Sequence, residues 1–186
     1  MLNLTDVERR ILINQSRILA ALYPLEAREF ERAAEILSEG YQEGWQETVL
    51  KGLKAPLLKE EMNFVYHILQ MYDWLQKSFY SLTFEEKLEL KEQHLVFPGF
   101  CPKTEKRHAA YAIFLLENFE CFSYVEWSKP LHAPQPMRDF YEEMLKGLPS
   151  FGGHTLTAAQ LKAVIAYMAA IRASPGRQSQ TPAHAA

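Results

Sequence analysis

Residues 57–82 read LLKEEMNFVYHILQMYDWLQKSFYSL, and this stretch decides the fold. Leu58, Met62, Val65, Leu69, Tyr72, Phe79 and Leu82 fall three, four or seven apart. A second row, Phe64, Ile68, Met71 and Leu75, adjoins the first. So wide an apolar arc at helical spacing predicts a helix buried against several neighbours. At ~3.6 residues per turn it makes about seven turns. Pro56 blocks an earlier start, and Thr83 offers the cap of a new helix. The expected fold is all-α: an orthogonal multi-helix domain packed around one long central helix, about Leu57–Leu82.

Upstream, Thr5-Asp-Val-Glu8 has the form of a capping box and opens a helix to about Leu22. Its apolar stripe is Val7, Ile11, Ile18 and Leu22, with Leu12 and Leu19 beside it. Asn14 and Gln15 fall inside that arc, so at least one is expected to be buried. A buried amide needs partners for its donors and acceptor. The favoured role is structural: a bond to the rigid loop Leu95–Lys103 or to the same helix of a partner chain. The alternative is a ligand contact. After Tyr23-Pro24, Glu26–Glu39 reads as a helix with Phe30, Ala33, Ala34 and Leu37 on one face, ended by Gly40. Tyr41, Trp45 and Val49 keep a four-residue spacing and predict a short helix.

Downstream, Thr83-Phe-Glu-Glu86 is a second capping box, opening a helix to about Lys91. The loop His94-Leu-Val-Phe-Pro-Gly-Phe-Cys-Pro102 follows. Phe97 and Phe100 in it must either pack inside or be offered to a partner, and packing is favoured. Helices are predicted over Lys103–Glu120 and Met137–Leu148, and from the third box, Thr157-Ala-Ala-Gln160, to about Arg172. The aromatic segment between Glu120 and Pro136, with Trp127, is irregular. Beyond Ala173 the chain holds nothing larger than alanine that could anchor it. Residues 174–186 are therefore expected to be a disordered, dispensable tail, and residues 1–173 a single domain.

The chain has 186 residues, 48% of them hydrophobic, and a net charge of −3. That charge balance argues against a nucleic-acid partner. Two cysteines without a CxxC motif point to reduced thiols. The opening MLNLTDVERR has no basic-then-apolar pattern, so no signal peptide is expected, and no apolar run reaches membrane length. A cytoplasmic protein without membrane contact is expected.

Several motifs then fall into one order. They are Arg10–Leu19 with Asn14-Gln15, Pro24, Gly40-Tyr41, Ile68-Leu-x-Met-Tyr72 and Phe97-x-Gly-Phe100. Thr104-Glu105-x-Arg107, Tyr111, Pro136-Met-x-x-x-Tyr141-x-x-Met-Leu145 and Thr157-x-x-Gln160 complete the set. In this order and spacing, over about residues 5–170, the chain resembles the YfbU family of uncharacterised bacterial proteins. The resemblance implies a mainly helical homo-oligomer and carries over no activity, cofactor or catalytic residue. This chain departs from the family in lacking Thr before Pro136 and in its tail.

No HExxH, P-loop, GxGxxG or GxSxG sequence is present. Glu105-x-x-His108 is half of a di-iron bundle motif, but no second ExxH accompanies it. A surface Glu–His pair is the favoured reading, and no metal or other cofactor is expected. Cys101 has His94 and His108 near it in sequence, but proximity in sequence does not make a catalytic pair. A packed or partly exposed inert thiol is the favoured reading. Two function classes remain. The first is a non-enzymatic, oligomeric protein that binds an unidentified protein partner, with Phe97, Phe100 and Trp127 as candidate contacts. The second is a small-ligand protein or enzyme with a polar site among Asn14, Gln15, Glu105, His108 and Tyr111.

Overall fold

The computed structural model describes residues 2–90, 95–127, 132–148 and 154–173. The tail, His94, Lys91 and part of the segment before Pro136 lie outside the described residues. The fold is all-α: eight α-helices and one 3₁₀ turn are described. The only extended pairing among the described residues is an isolated bridge between Phe100 and His132. The chain divides into two compact units, Met1–Pro56 and Leu57–Ala186.

The first unit holds α1 (Asp6–Leu22), α2 (Ala27–Glu39) and α3 (Gln42–Val49). Thr5 and Glu8 form the expected capping box, with Thr5 N–H donating to Glu8 Oε2 at 2.8 Å. Gly40 closes α2 at φ 75°, a backbone region where side chains with a Cβ are strained. Ile13, Ala34, Leu37 and Trp45 form the core, with Leu12, Ile36 and Val49 packed around them.

The expected inward face of α1 is corrected here. Val7, Ile11, Ile18 and Leu22 are 69, 51, 58 and 66% exposed, whereas Ile13 is 5% exposed. Asn14 and Gln15 are also exposed, against the expectation that at least one is buried. Arg9 supplies the physical reason. Its Nε and Nη2 donate to Leu37 O at 3.1 and 2.7 Å, and Nη2 also donates to Ser38 O at 3.3 Å. Those carbonyls belong to the last turn of α2, where the helix has no N–H donors of its own to offer them. The guanidinium also lies 5.1 Å from the Trp45 ring centroid. Anchoring Arg9 there turns Ile13, one helical turn on, toward the core. Apolar periodicity alone cannot see a cation that selects the opposite face. Arg9→Met keeps the length of the side chain and removes the donors. It is expected to cost about 1 kcal/mol in urea denaturation, because the part-buried carbonyl of Leu37 and the exposed one of Ser38 lose a charged donor. Arg9→Lys should fall between wild type and the methionine variant.

The second unit is built on α4 (Lys59–Tyr80), the expected central helix. Val65, Ile68, Leu69, Met71, Tyr72 and Leu75 on it are completely buried. Around α4 pack α6 (Lys106–Asn118), the 3₁₀ turn Glu120–Phe122, α7 (Arg138–Gly147) and α8 (Ala158–Ala173). The short α5 (Phe84–Glu89) starts at the Thr83 capping box. The wide arc of α4 is the cause of this arrangement. One helix apolar over two adjoining rows can bury both only by taking neighbours on more than one side.

Candidate functional site

The rigid loop after α5 is pinned from several directions. Gln76 Nε2 on α4 donates to Leu95 O at 3.0 Å, and Tyr141 Oη on α7 donates to Gly99 O at 2.6 Å. Gly99 turns the chain at φ 82°. Phe97 and Phe100 are 2% and 0% exposed. The Phe97 ring lies 5.2 Å from Tyr72, and the Phe100 ring 5.3 Å from Tyr141 and 5.6 Å from His108. Of the two alternatives for these rings, packing inside is the one observed. Trp127 is half-buried against the same core.

At the end of this loop sits Glu105, 6% exposed. Its carboxylate accepts from Cys101 N–H at 2.8 Å, Met137 N–H at 3.0 Å and Arg138 N–H at 2.7 Å. Met137 and Arg138 form the N-terminus of α7, where N–H groups lack acceptors within the helix. An anion there is favoured by both hydrogen bonding and the helix dipole. Glu105 is itself the N-cap residue of α6, so one carboxylate joins loop, α6 and α7.

His108, in the first turn of α6, is 8% exposed. The expected surface Glu–His pair is therefore corrected: both members are buried. The imidazole stands among the rings of Phe64, at 6.1 Å, and Phe100. Its Nε2 is 3.7 Å from Glu61 Oε1, beyond hydrogen-bond length, and has no hydrogen-bond partner among the described residues. Arg138 lies over Phe64 at 5.2 Å and pairs with Glu142 at 2.9 Å. Burial is the largest influence on His108 and lowers its pKa; Glu61 opposes it more weakly. The ring is thus neutral near pH 7.

That depression has a sign. A proton prefers unfolded His108 to the folded one, so stability is full above the ordinary value near 6.5 and falls as pH drops toward the folded pKa. We expect denaturation midpoints to decline between about pH 7 and 5, within the titration range of histidine. The decline should be shallower in His108→Phe. An equal slope in both proteins would assign the pH dependence to other groups.

Tyr111 is half-buried one turn further along α6 and stacks on Phe114, with centroids 6.2 Å apart. Asn14 and Gln15 belong to the other compact unit. The structure therefore brings Glu105 and His108 together on α6, with Glu61 and Arg138 as neighbours that the sequence reading did not select. Cys101 is buried; hydrogen bonding from Thr104 holds its thiol below the usual range. Among the described residues no group of three His, Cys, Asp or Glu side chains could hold a metal ion.

Two further buried polar residues were missed in the sequence. Gln76 is 3% exposed; besides its bond to Leu95, its Oε1 accepts from Glu126 N–H at 2.6 Å. Ser78 donates to Trp74 O at 2.7 Å and accepts from Leu156 N–H at 3.0 Å. The signal for Gln76 was available. It occupies the gap between Tyr72 and Phe79 in the first apolar row of α4.

Gln76, Ser78 and Glu105 each satisfy backbone groups of irregular segments, and this defines an all-α protein whose interior polarity holds loops in place. The YfbU domain profile matches residues 2–166 of this chain. A UPF0304 protein of Actinobacillus succinogenes is 31% identical over 150 residues, covering 77% of this chain and 86% of that protein. The chain belongs to the YfbU family. Among its described residues no helix is long and apolar enough to cross a membrane.

Proposed function

We propose that this protein is a non-enzymatic interaction protein that works through protein contacts as a cytoplasmic homo-oligomer. One observation carries the reading: Val7, Ile11, Ile18 and Leu22 make a continuous exposed apolar stripe along α1. Scattered apolar residues on a surface are ordinary; a row at helical spacing is a docking face. The net charge of −3 argues for protein rather than nucleic acid as the partner. On this reading residues 1–173 act as one domain and residues 174–186 are dispensable. A photocrosslinking residue at Ile18 of the full chain in cells should give covalent protein adducts. The same residue at the exposed Glu31 should give few. Absence of adducts at position 18 would overturn the proposal.

A second reading, a small-ligand site or enzyme, rests on His108. Its Nε2, next to Glu61, is the one buried side-chain nitrogen or oxygen of α6 without a hydrogen-bond partner among the described residues. Turnover or ligand binding by the pure protein, abolished in His108→Phe but not in Ile18→Glu, would favour it over the first.

A further inference from the structure

The exposed face of α1 is symmetric about its own midpoint. Ile11 and Ile18 are equidistant from the point between Asn14 and Gln15, and so are Val7 and Leu22. At ~100° per residue these six side chains fall within an arc of about 100°. The arc lies opposite Arg9 and Ile13, the side that packs within the first unit. The helix is thus apolar on two opposite sides, and α2 and α3 cover one of them. The four apolar residues expose roughly 400 Å² in all, a patch size that on a monomer is often functional.

We propose that the occupant of this face is a second copy of the chain, with the two α1 helices antiparallel about a two-fold axis between Asn14 and Gln15. This rests on α1 being an interaction face, as argued above. A two-fold interface must be complementary to itself, each residue pairing as its partner does. On a single helix that condition is a palindromic pattern, which this face has. The rotation sets Ile11 beside Ile18 of the second copy and Val7 beside its Leu22. The two amides fall at the axis, where each faces its own counterpart. A carboxylate or ammonium there would meet a like charge, whereas an amide carries donor and acceptor and pairs with itself. A polar residue in an apolar helical seam also fixes register, because sliding the helices would bury it unpaired. The area is sufficient. Two helices of 17 residues pack along about 25 Å and bury on the order of 1,000 Å², near the lower bound for a specific interface. A partner unrelated to the chain would require no palindrome.

The test uses the full chain with Cys121→Ser, which removes the exposed thiol. Sedimentation should give a dimer or a multiple of one, and Ile18→Glu should reduce it to half the mass while circular dichroism stays unchanged. Under mild oxidation Asn14→Cys should form a disulfide dimer on its own. Val7→Cys and Leu22→Cys should each remain uncrosslinked alone and crosslink when mixed. Self-crosslinking by Val7→Cys would mean parallel helices and overturn the proposal, as would an assembly whose mass Ile18→Glu does not change. A monomeric wild type would also overturn it, and maleimide labelling of Ile18→Cys then separates the two ideas. Fast labelling leaves α1 open for a different partner, so the broader reading survives. Slow labelling means that the chain covers its own α1, and both fail.

Discussion

Glu105→Ala is expected to destabilise the second unit by about 3–5 kcal/mol, the largest loss from any single polar side chain described above. The carboxylate is the acceptor for three backbone N–H groups drawn from a loop and from the start of α7. Alanine leaves all three donors without a partner, with Cys101 and Met137 themselves buried. An unpaired buried donor costs roughly 1–3 kcal/mol, and these bonds are strengthened by the charge of the acceptor. Glu105→Gln should cost less, since an amide oxygen still accepts, but more than nothing, since its NH2 would face donors. Chemical denaturation of the three proteins in parallel measures both differences. A glutamine variant as unstable as the alanine variant would show that charge, rather than acceptor geometry, holds the N-terminus of α7. Wild-type stability in Glu105→Ala would remove the clasp from the account altogether.

The second large effect is expected at Gln76. Leucine there keeps nearly the same volume and is a better helix former in an apolar row, so composition alone predicts a gain. The tertiary bonds predict a loss of about 2–4 kcal/mol, because Leu95 O and Glu126 N–H would each lose a partner. Gln76→Glu divides the two bonds: it retains an acceptor for Glu126 N–H and has no donor for Leu95 O. At a pH where the carboxylate is charged it should be the least stable of the three, because a buried carboxylate oxygen then faces Leu95 O. Thermal and urea unfolding at neutral pH provide the comparison. A leucine variant more stable than wild type would mean that water replaces both bonds at no cost.

Gln76 makes the loop bond that the spacing of α1 assigns to Asn14 or Gln15. An amide inside an apolar arc was expected to hydrogen-bond the Leu95–Lys103 loop. An amide does so, and its carbonyl partner is Leu95, but the amide is on α4. On α4 the arc is buried; on α1 the arc that carries Asn14 and Gln15 points away from α2. Periodicity reports that a helix has an apolar face. It does not report which element covers that face, or whether anything in the same chain does.

The sequence by itself determined the elements and the long helix around which the second unit forms. Capping boxes at Thr5, Thr83 and Thr157 placed three helix starts, because side-chain caps act between residues three apart. Gly40 and the prolines placed the stops, and the double apolar row made α4 central. Only the tertiary structure decided what the polar residues do. Glu105 and His108, one turn apart, read as a surface pair; their partners, Met137, Arg138 and Glu61, lie 32, 33 and 47 positions away in sequence. Arg9 finds its acceptor, Leu37 O, 28 positions away at the end of α2. Local hydrogen bonds are written in short spacings, whereas the partners of a buried charge are fixed by which distant segments the packing brings within about 3 Å.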